Sequence, residues 1–320
     1  MMKRERGMSL VELTVAITIL GGTLLMVQEL IGTTQSAQIY IVARDQAAQQ
    51  SAKLIADLRS VGLSSRRLYQ DDAEGRDFLA ALDTAALPLI ADTRLPIVDP
   101  AGRLDQDAAG ARRTGNAILL ACEDRPRQIQ TSGARHRIDV VRFFCVYPTR
   151  RTGKVANAVA DRIDLVRFTS RPYADKASID QVTDPSERAE VVQALRAGGI
   201  TRTCISGVPL AQTFFALNTD GSIATTEIVS PIIDPLPDDR PRPMLGNSKS
   251  TVAPNSAALH VPAFALLDNT IPAFPSGFEV KVVGPSGGRQ VLIRLTLLTG
   301  THSGPDAAST TERLFSVRDL

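Results

Sequence analysis

The feature that most constrains this chain is its first apolar run. From Met8 to Ile31 only Glu12 and Glu29 carry charge, and a helix of about 20 apolar residues spans a bilayer. Ahead of it stand Lys3, Arg4 and Arg6 against Glu5 alone, so the positive-inside tendency puts residues 1–7 on the cytoplasmic side and the rest of the chain across the membrane. A cleaved secretory signal ends in a small-x-small site and has no acid in its apolar core. Here Glu12 sits near the start of the run, where a lone charge in lipid costs about 2.5–3.5 kcal/mol or more.

Past Ile31 the pattern becomes amphipathic. Tyr40, Ala43, Ala47, Leu54, Leu58 and Val61 recur at helical spacing with Arg44, Asp45, Gln49, Lys53 and Asp57 between them. No proline occurs before Pro88, so one continuous helix is expected from about Ser9 to about Ser60, with residues 32–69 as the part that packs on a head. Gly21 and Gly22 interrupt its apolar half, either to ease local unwinding or to let another helix approach closely.

The segment 70–116, rich in Asp, Ala, Arg, Gly and Pro, reads as a loop-rich excursion with a short helix at "RDFLAALDTAAL". From 117 onward short runs with β-branched and aromatic residues alternate with turn formers: "NAILLAC", "RIDVVRFFCVYP", "RIDLVRFTSRP", "AQTFFALN", "SIATTEIVSPI", "FEVKVVG", "RQVLIRLTLLTG" and "ERLFSVRDL". An antiparallel sheet follows, with "NTDG" as a hairpin turn. The fold class is therefore α+β: a long N-terminal helical stem and a β-rich head over 70–320. "RIDVVRF" and "RIDLVRF" echo one another and are expected to lie in neighbouring strands with similar cross-strand pairs. Their arginines, Arg137, Arg142, Arg162 and Arg167, form either a charged strip or ordinary solvated strand faces. The proline-dense stretch 230–255 reads as an extended surface loop.

Three cysteines, Cys122, Cys145 and Cys204, show no metal-binding or Cys-x-x-Cys spacing. In an oxidising compartment Cys122 and Cys145, in two apolar runs that could be neighbouring strands, are the natural pair. Three reduced, buried thiols are the alternative. Charges nearly balance, 36 Lys and Arg against 34 Asp and Glu, and aromatics are 4% without tryptophan. Whole-chain charge thus gives no argument for a nucleic-acid partner, and any basic patch has to be local. His136, His260 and His302 are scattered. "GPSGG" satisfies Gly-x-Ser-x-Gly, yet Ser286 lies between two strand-like runs where a nucleophile elbow needs a strand and a helix. Asp234, Asp238 and Asp239 lack EF-hand spacing. No enzyme, metal or cofactor is indicated.

The stretch "GMSLVELTVAITIL" resembles the class III signal of type IV prepilins: Gly7 closes a short basic leader, apolar Met8 follows, and Glu12 is the fifth residue after the glycine. The resemblance implies that prepilin peptidase cuts between Gly7 and Met8, that Met8 is then N-methylated, and that Glu12 pairs with the terminal amine of a neighbouring subunit as an assembly register. "AKLIADLRSVGL" is similar to the segment closing the helix in large minor pilins of the PilW and pseudopilin J type, as is the last strand, although Asp319 and Leu320 depart from the usual ending. Expected partners are other minor pilins, the major pilin, prepilin peptidase and an inner-membrane assembly platform. The expected place is the inner membrane, then the tip of a pilus or of a periplasmic pseudopilus. A minor pilin that primes a type IV pilus, a J-type pseudopilin of type II secretion, and a signal-anchored surface binding protein or adhesin all remain open at this point.

Overall fold

The computed structural model describes residues 9–91, 93–100, 114–151, 162–204, 213–228, 232–246, 249–253, 277–301 and 306–319. Helix α1 runs unbroken from Leu10 to Gly62, 53 residues, or about 80 Å at 1.5 Å per residue. Its burial is confined to one end: Ala43, Ala47, Ser51, Leu54, Ile55, Leu58 and Gly62, three or four apart, are buried and face the head. Small residues at the start of that stripe let the helix lie close to the sheet. Ser51 Oγ meets Thr311 Oγ1 at 2.9 Å. At Gly62 an added Cβ would stand 2.8 Å from the Phe315 ring, so only glycine fits that approach without movement. The helix gives way there, close to its expected end, and residues 65–68, within the 32–69 part expected to pack on the head, form a strand.

Two sheets make the head. The larger joins β1 (Ser65–Leu68), β3 (Ile118–Gln130), β4 (Arg135–Arg151), β5 (Arg162–Thr169), β6 (Tyr173–Asp175), β7 (Arg202–Cys204), β8 (Phe214–Ala216) and β9 (Arg242–Pro243). The smaller joins β2 (Val98–Asp99), β10 (Ser250–Val252), β11 (Phe278–Val283), β12 (Arg289–Thr299) and β13 (Ala307–Val317). All pairings are antiparallel except β2 with β11 and β6 with β7. A long strand organises each sheet. β4 holds β3 along one edge and β5 then β6 along the other. β12 holds β13 on one edge and β11 then β10 on the other.

The main core lies between α1, the smaller sheet and one face of the larger: Leu54, Leu58, Leu120, Phe144, Leu165, Val280, Ile293, Leu295 and Phe315 share it. On the opposite face of the larger sheet a second core gathers Tyr69, Phe143, Tyr147, Phe168, Tyr173 and Phe214 around Phe78 and Leu79 of α2 (Ala73–Ala81). A third sits under α3 (Lys176–Asp180) and α4 (Pro185–Ala197), where Val191, Val192 and Leu195 cover Ile138 and Val140.

Several expectations change. β3 and β4 are neighbours, but no Cys122–Cys145 disulfide forms: all three cysteines are free and buried. Cys122 stands opposite Arg142 and Cys145 opposite Leu119, three rungs apart and hence on opposite faces, one in the main core and one in the second. No backbone adjustment short of refolding brings such sulfurs together. The two echo segments do lie in neighbouring strands, β4 and β5, but they do not face one another, because β5 aligns with the far end of β4, Cys145 opposite Phe168 and Arg151 opposite Arg162. Their arginines are each held by an acid, Arg137 by Asp139, Arg142 by Asp124, Arg162 by Asp164 and Arg167 by Asp239, which leaves no charged strip.

The described part of 70–116 is packed, not decorative: α2 and Leu95 are core. Likewise the proline-dense segment returns to the sheet. Pro243 pairs with Val166, and the Leu245 N–H donates to buried Asp164 at 2.9 Å, whose carboxyl burial raises above its ordinary range although Arg151 and Arg162 oppose the shift. Residues 222–228 of "SIATTEIVSPI" form no strand beyond a bridge from Ile223 to Leu217.

Burial pushes the Cys122 and Cys204 thiols up to about 12 and that of Cys145 higher still. Alkylation at pH 8 is therefore expected to label none of the three in the folded protein and all three in denaturant, without prior reduction. A thiol that appears only after reduction would sink the free-cysteine assignment.

Candidate functional site

Ser9 starts the stem. Its side chain accepts a hydrogen bond from the Glu12 N–H at 3.2 Å, and the Glu12 carboxylate accepts one from the Ser9 N–H at 2.9 Å. This reciprocal capping box satisfies two of the amide donors that a helix start leaves over. It also holds a negative charge at the positive end of the helix dipole. The Ser-x-x-Glu spacing was its sequence signal. Only one carboxylate oxygen is engaged in the cap, and a carboxylate accepts about four hydrogen bonds, so Glu12 retains capacity for a cation while it caps. Gly7 and Met8 lie outside the described residues.

Above the cap nothing covers the helix. Every residue from Leu10 to Ile39 is exposed, including thirteen large apolar side chains between Leu10 and Ile31, with Leu10 82%, Leu20 63% and Met26 73% accessible. At roughly 1.5–3 kcal/mol per side chain, contact with water would forgo on the order of 20–40 kcal/mol, against a net stability of about 5–15 kcal/mol for a typical domain. Such a surface is suited to an apolar environment. The hydroxyls agree with that: Thr14 donates to the Leu10 carbonyl, Thr18 to Thr14, Thr23 to Leu20, and Thr33 and Thr34 to Leu30. Each donor is met inside the helix, which is how hydroxyls are carried in lipid or in a helix bundle. The helix is long and apolar enough to cross a membrane. It continues without a break through Gly21 and Gly22, around which nothing approaches within 4 Å.

The other residues weighed as chemical candidates are placed as follows. Ser286 lies in the β11–β12 hairpin, where Gly284 and Gly287 have φ of 98° and 86° and strands flank both sides. Asp239 pairs with Arg167 and Arg242, and no cluster of three potential metal ligands occurs among the described residues. His136 Nε2 lies 3.0 Å from the Glu187 carboxylate, tying β4 to α4. His260 and His302 lie outside the described residues. An open cleft beside Arg196, Arg202, Asn218 and Asp220 has its arginines donating to the carbonyls of Leu217 and Ile232.

Comparison with family models, with curated proteins and with solved structures returns no match. The reading of this site rests on its own physical chemistry.

Since no described residue before Ala43 is buried, removal of residues 1–34 is expected to leave the head folded, with a melting temperature within a few degrees of the full chain, and soluble without detergent. A large drop in stability would mean that the exposed half of α1 supports the head after all.

Proposed function

We propose that this protein is a pilin-like subunit, a large minor pilin processed by prepilin peptidase between Gly7 and Met8 and built into the priming or tip complex of a type IV pilus. The observation that carries the reading is the division of α1. One half is fixed into the head, while the other is an uncovered apolar rod whose single acid near its start, Glu12, stands in the first turn. A membrane covers that rod before assembly, and stacked stems of other pilins cover it afterwards.

On this reading Glu12 has two tasks. In the single chain it caps its own helix, and in the assembly it also receives the amine created at Met8 of a neighbour. A paired charge in an apolar bundle avoids most of the penalty that an isolated one incurs. The large two-sheet head favours a tip or priming position over a repeated shaft position, because bulk at every step crowds a helical array. Prepilin peptidase, the inner-membrane platform, the major pilin and the other minor pilins are the partners this assigns.

Mass and N-terminal sequence of the protein from membranes or sheared filaments test it. The expected chain begins at N-methylated Met8, and Glu12→Ala is expected to leave the head's stability unchanged while reducing assembled filaments at least tenfold. An intact Met1, or a cut beyond residue 30, would overturn the proposal in favour of an anchored or secreted binding protein.

A further inference from the structure

The β3–β4 hairpin runs on beyond the short strand β1, which pairs only with Leu120–Cys122. From Glu123 to Gln130 the outer edge of β3 therefore has no strand partner in that pairing, and the two strands continue as a ribbon to a tight turn at 131–134, closed by the Thr131 N–H on the Ala134 carbonyl. Within 125–137 there are four arginines, Arg125, Arg127, Arg135 and Arg137, and no acid. All four are exposed. Arg137 is held by Asp139 at 3.2 Å with its side chain still 66% accessible. Elsewhere in the head Arg66, Arg67, Arg142, Arg167, Arg289 and Arg294 are matched to acids.

Register places the charges. Arg135 stands opposite Gln130 and Arg137 opposite Gln128, which puts these four on one face, while Arg127, opposite Ile138, belongs to the other. Arg125 sits where the register shifts between Asp124 and Arg127. The nearby acids are each engaged: Glu123 with Arg66, Asp139 with both Arg66 and Arg137, Asp124 with Arg142, Glu187 with His136, and Glu190 with the Ser132 N–H and hydroxyl. The last two pin the ribbon to α4 from behind, so it is presented in a fixed orientation.

We propose that this ribbon is a docking surface for the phosphate backbone of duplex nucleic acid. Guanidinium groups present a planar fork suited to phosphate oxygens, and Gln128, on the same face as Arg135 and Arg137, is a neutral group of the kind that also bonds phosphate and sugar. A two-stranded β-ribbon fits the major groove. The face turned away from α4, with Gln128, Gln130, Arg135 and Arg137, is the one open to a duplex, and Arg127, exposed although its own face is the one α4 covers, adds charge beside it. The ribbon carries no exposed aromatic side chain on which unpaired bases would stack. Its aliphatic residues Ile129 and Ile138 are buried under α4, so it has no apolar wedge for a lipid surface. Contact is to the backbone and independent of sequence. The inference stands on the head alone and does not depend on how the stem is used.

The test is fluorescence anisotropy of a labelled 30-base-pair duplex of random sequence with the full chain in an uncharged detergent. Binding with a dissociation constant on the order of 10⁻⁵ M is expected, weakening about 100-fold between 50 and 200 mM salt if four phosphates are neutralised. The double variants Arg125→Gln/Arg127→Gln and Arg135→Gln/Arg137→Gln are each expected to cut that salt dependence to about 10-fold. An Arg240→Gln/Arg313→Gln control, at exposed arginines away from the ribbon, is expected to change nothing. Absence of binding at 50 mM salt, binding that both ribbon variants retain, or displacement of the duplex by an equal concentration of polyglutamate of matched charge would each overturn the proposal.

Discussion

The head depends on one close approach, that of α1 to β12 and β13. A helix can lie tightly on a sheet only if its facing side chains are small where the two backbones come nearest, and Ala43, Ala47, Ser51 and Gly62 supply that condition. Between them Leu54, Ile55 and Leu58 reach into the space left by the diverging surfaces and join Phe144, Leu165 and Ile293. The same contact bridges the two sheets, because Cys122 and Leu120 of the larger and Phe315 and Val317 of the smaller meet around the end of the helix. Asp319 completes the closure, its carboxylate accepting from the Leu68 N–H at 3.1 Å and from Arg289 at 2.9 Å.

Much of this was legible in the chain, and the limits have physical causes. The stem's length and its packing stripe followed from periodicity, since Ala43, Ala47, Leu54 and Leu58 are core residues as their spacing requires. The cores of the strands were clear too, although β3 and β13 run well beyond "NAILLAC" and "ERLFSVRDL", and the turn at "NTDG" forms, with Gly221 at φ 86°, but leads only to a bridge from Ile223 to Leu217. α4 was missed although its signals are local: Asp184 accepts from the N–H groups of Ser186 and Glu187, Pro185 opens the helix and Gly198 caps it. Register was not legible. A shift of one rung moves a side chain to the other face, and that alone decides that Cys122 and Cys145 occupy different cores.

Charge shows the same separation between totals and positions. Near-neutrality over the whole chain conceals a ribbon in which four exposed arginines gather and, among the described residues, only Arg137 meets an acid, while arginines such as Arg142, Arg162 and Arg167 are each tied to one. At the stem the logic reverses, because Glu12 and Glu29 are the only charges between Met8 and Ile31 and the position of Glu12, capping its own helix, matters more than any sum. What the sequence leaves undecided about the stem is its surroundings: the half from Leu10 to Ile31 presents apolar groups on all sides, so its periodicity selects no preferred face and names no particular neighbour.

The contact between Ser51 and Thr311 spans 260 positions of the chain, and that separation sets a timetable. At roughly 5–20 residues per second, synthesis delivers β13 about 13–50 s after the part of α1 it must cover. Throughout that interval Leu54, Ile55 and Leu58 can meet only earlier elements such as Leu120, Phe144 and Leu165 of the larger sheet, and the side that Phe315 and Val317 cover stays open. The inner half of one helix is thus enclosed in stages, and its last cover arrives with the final strand.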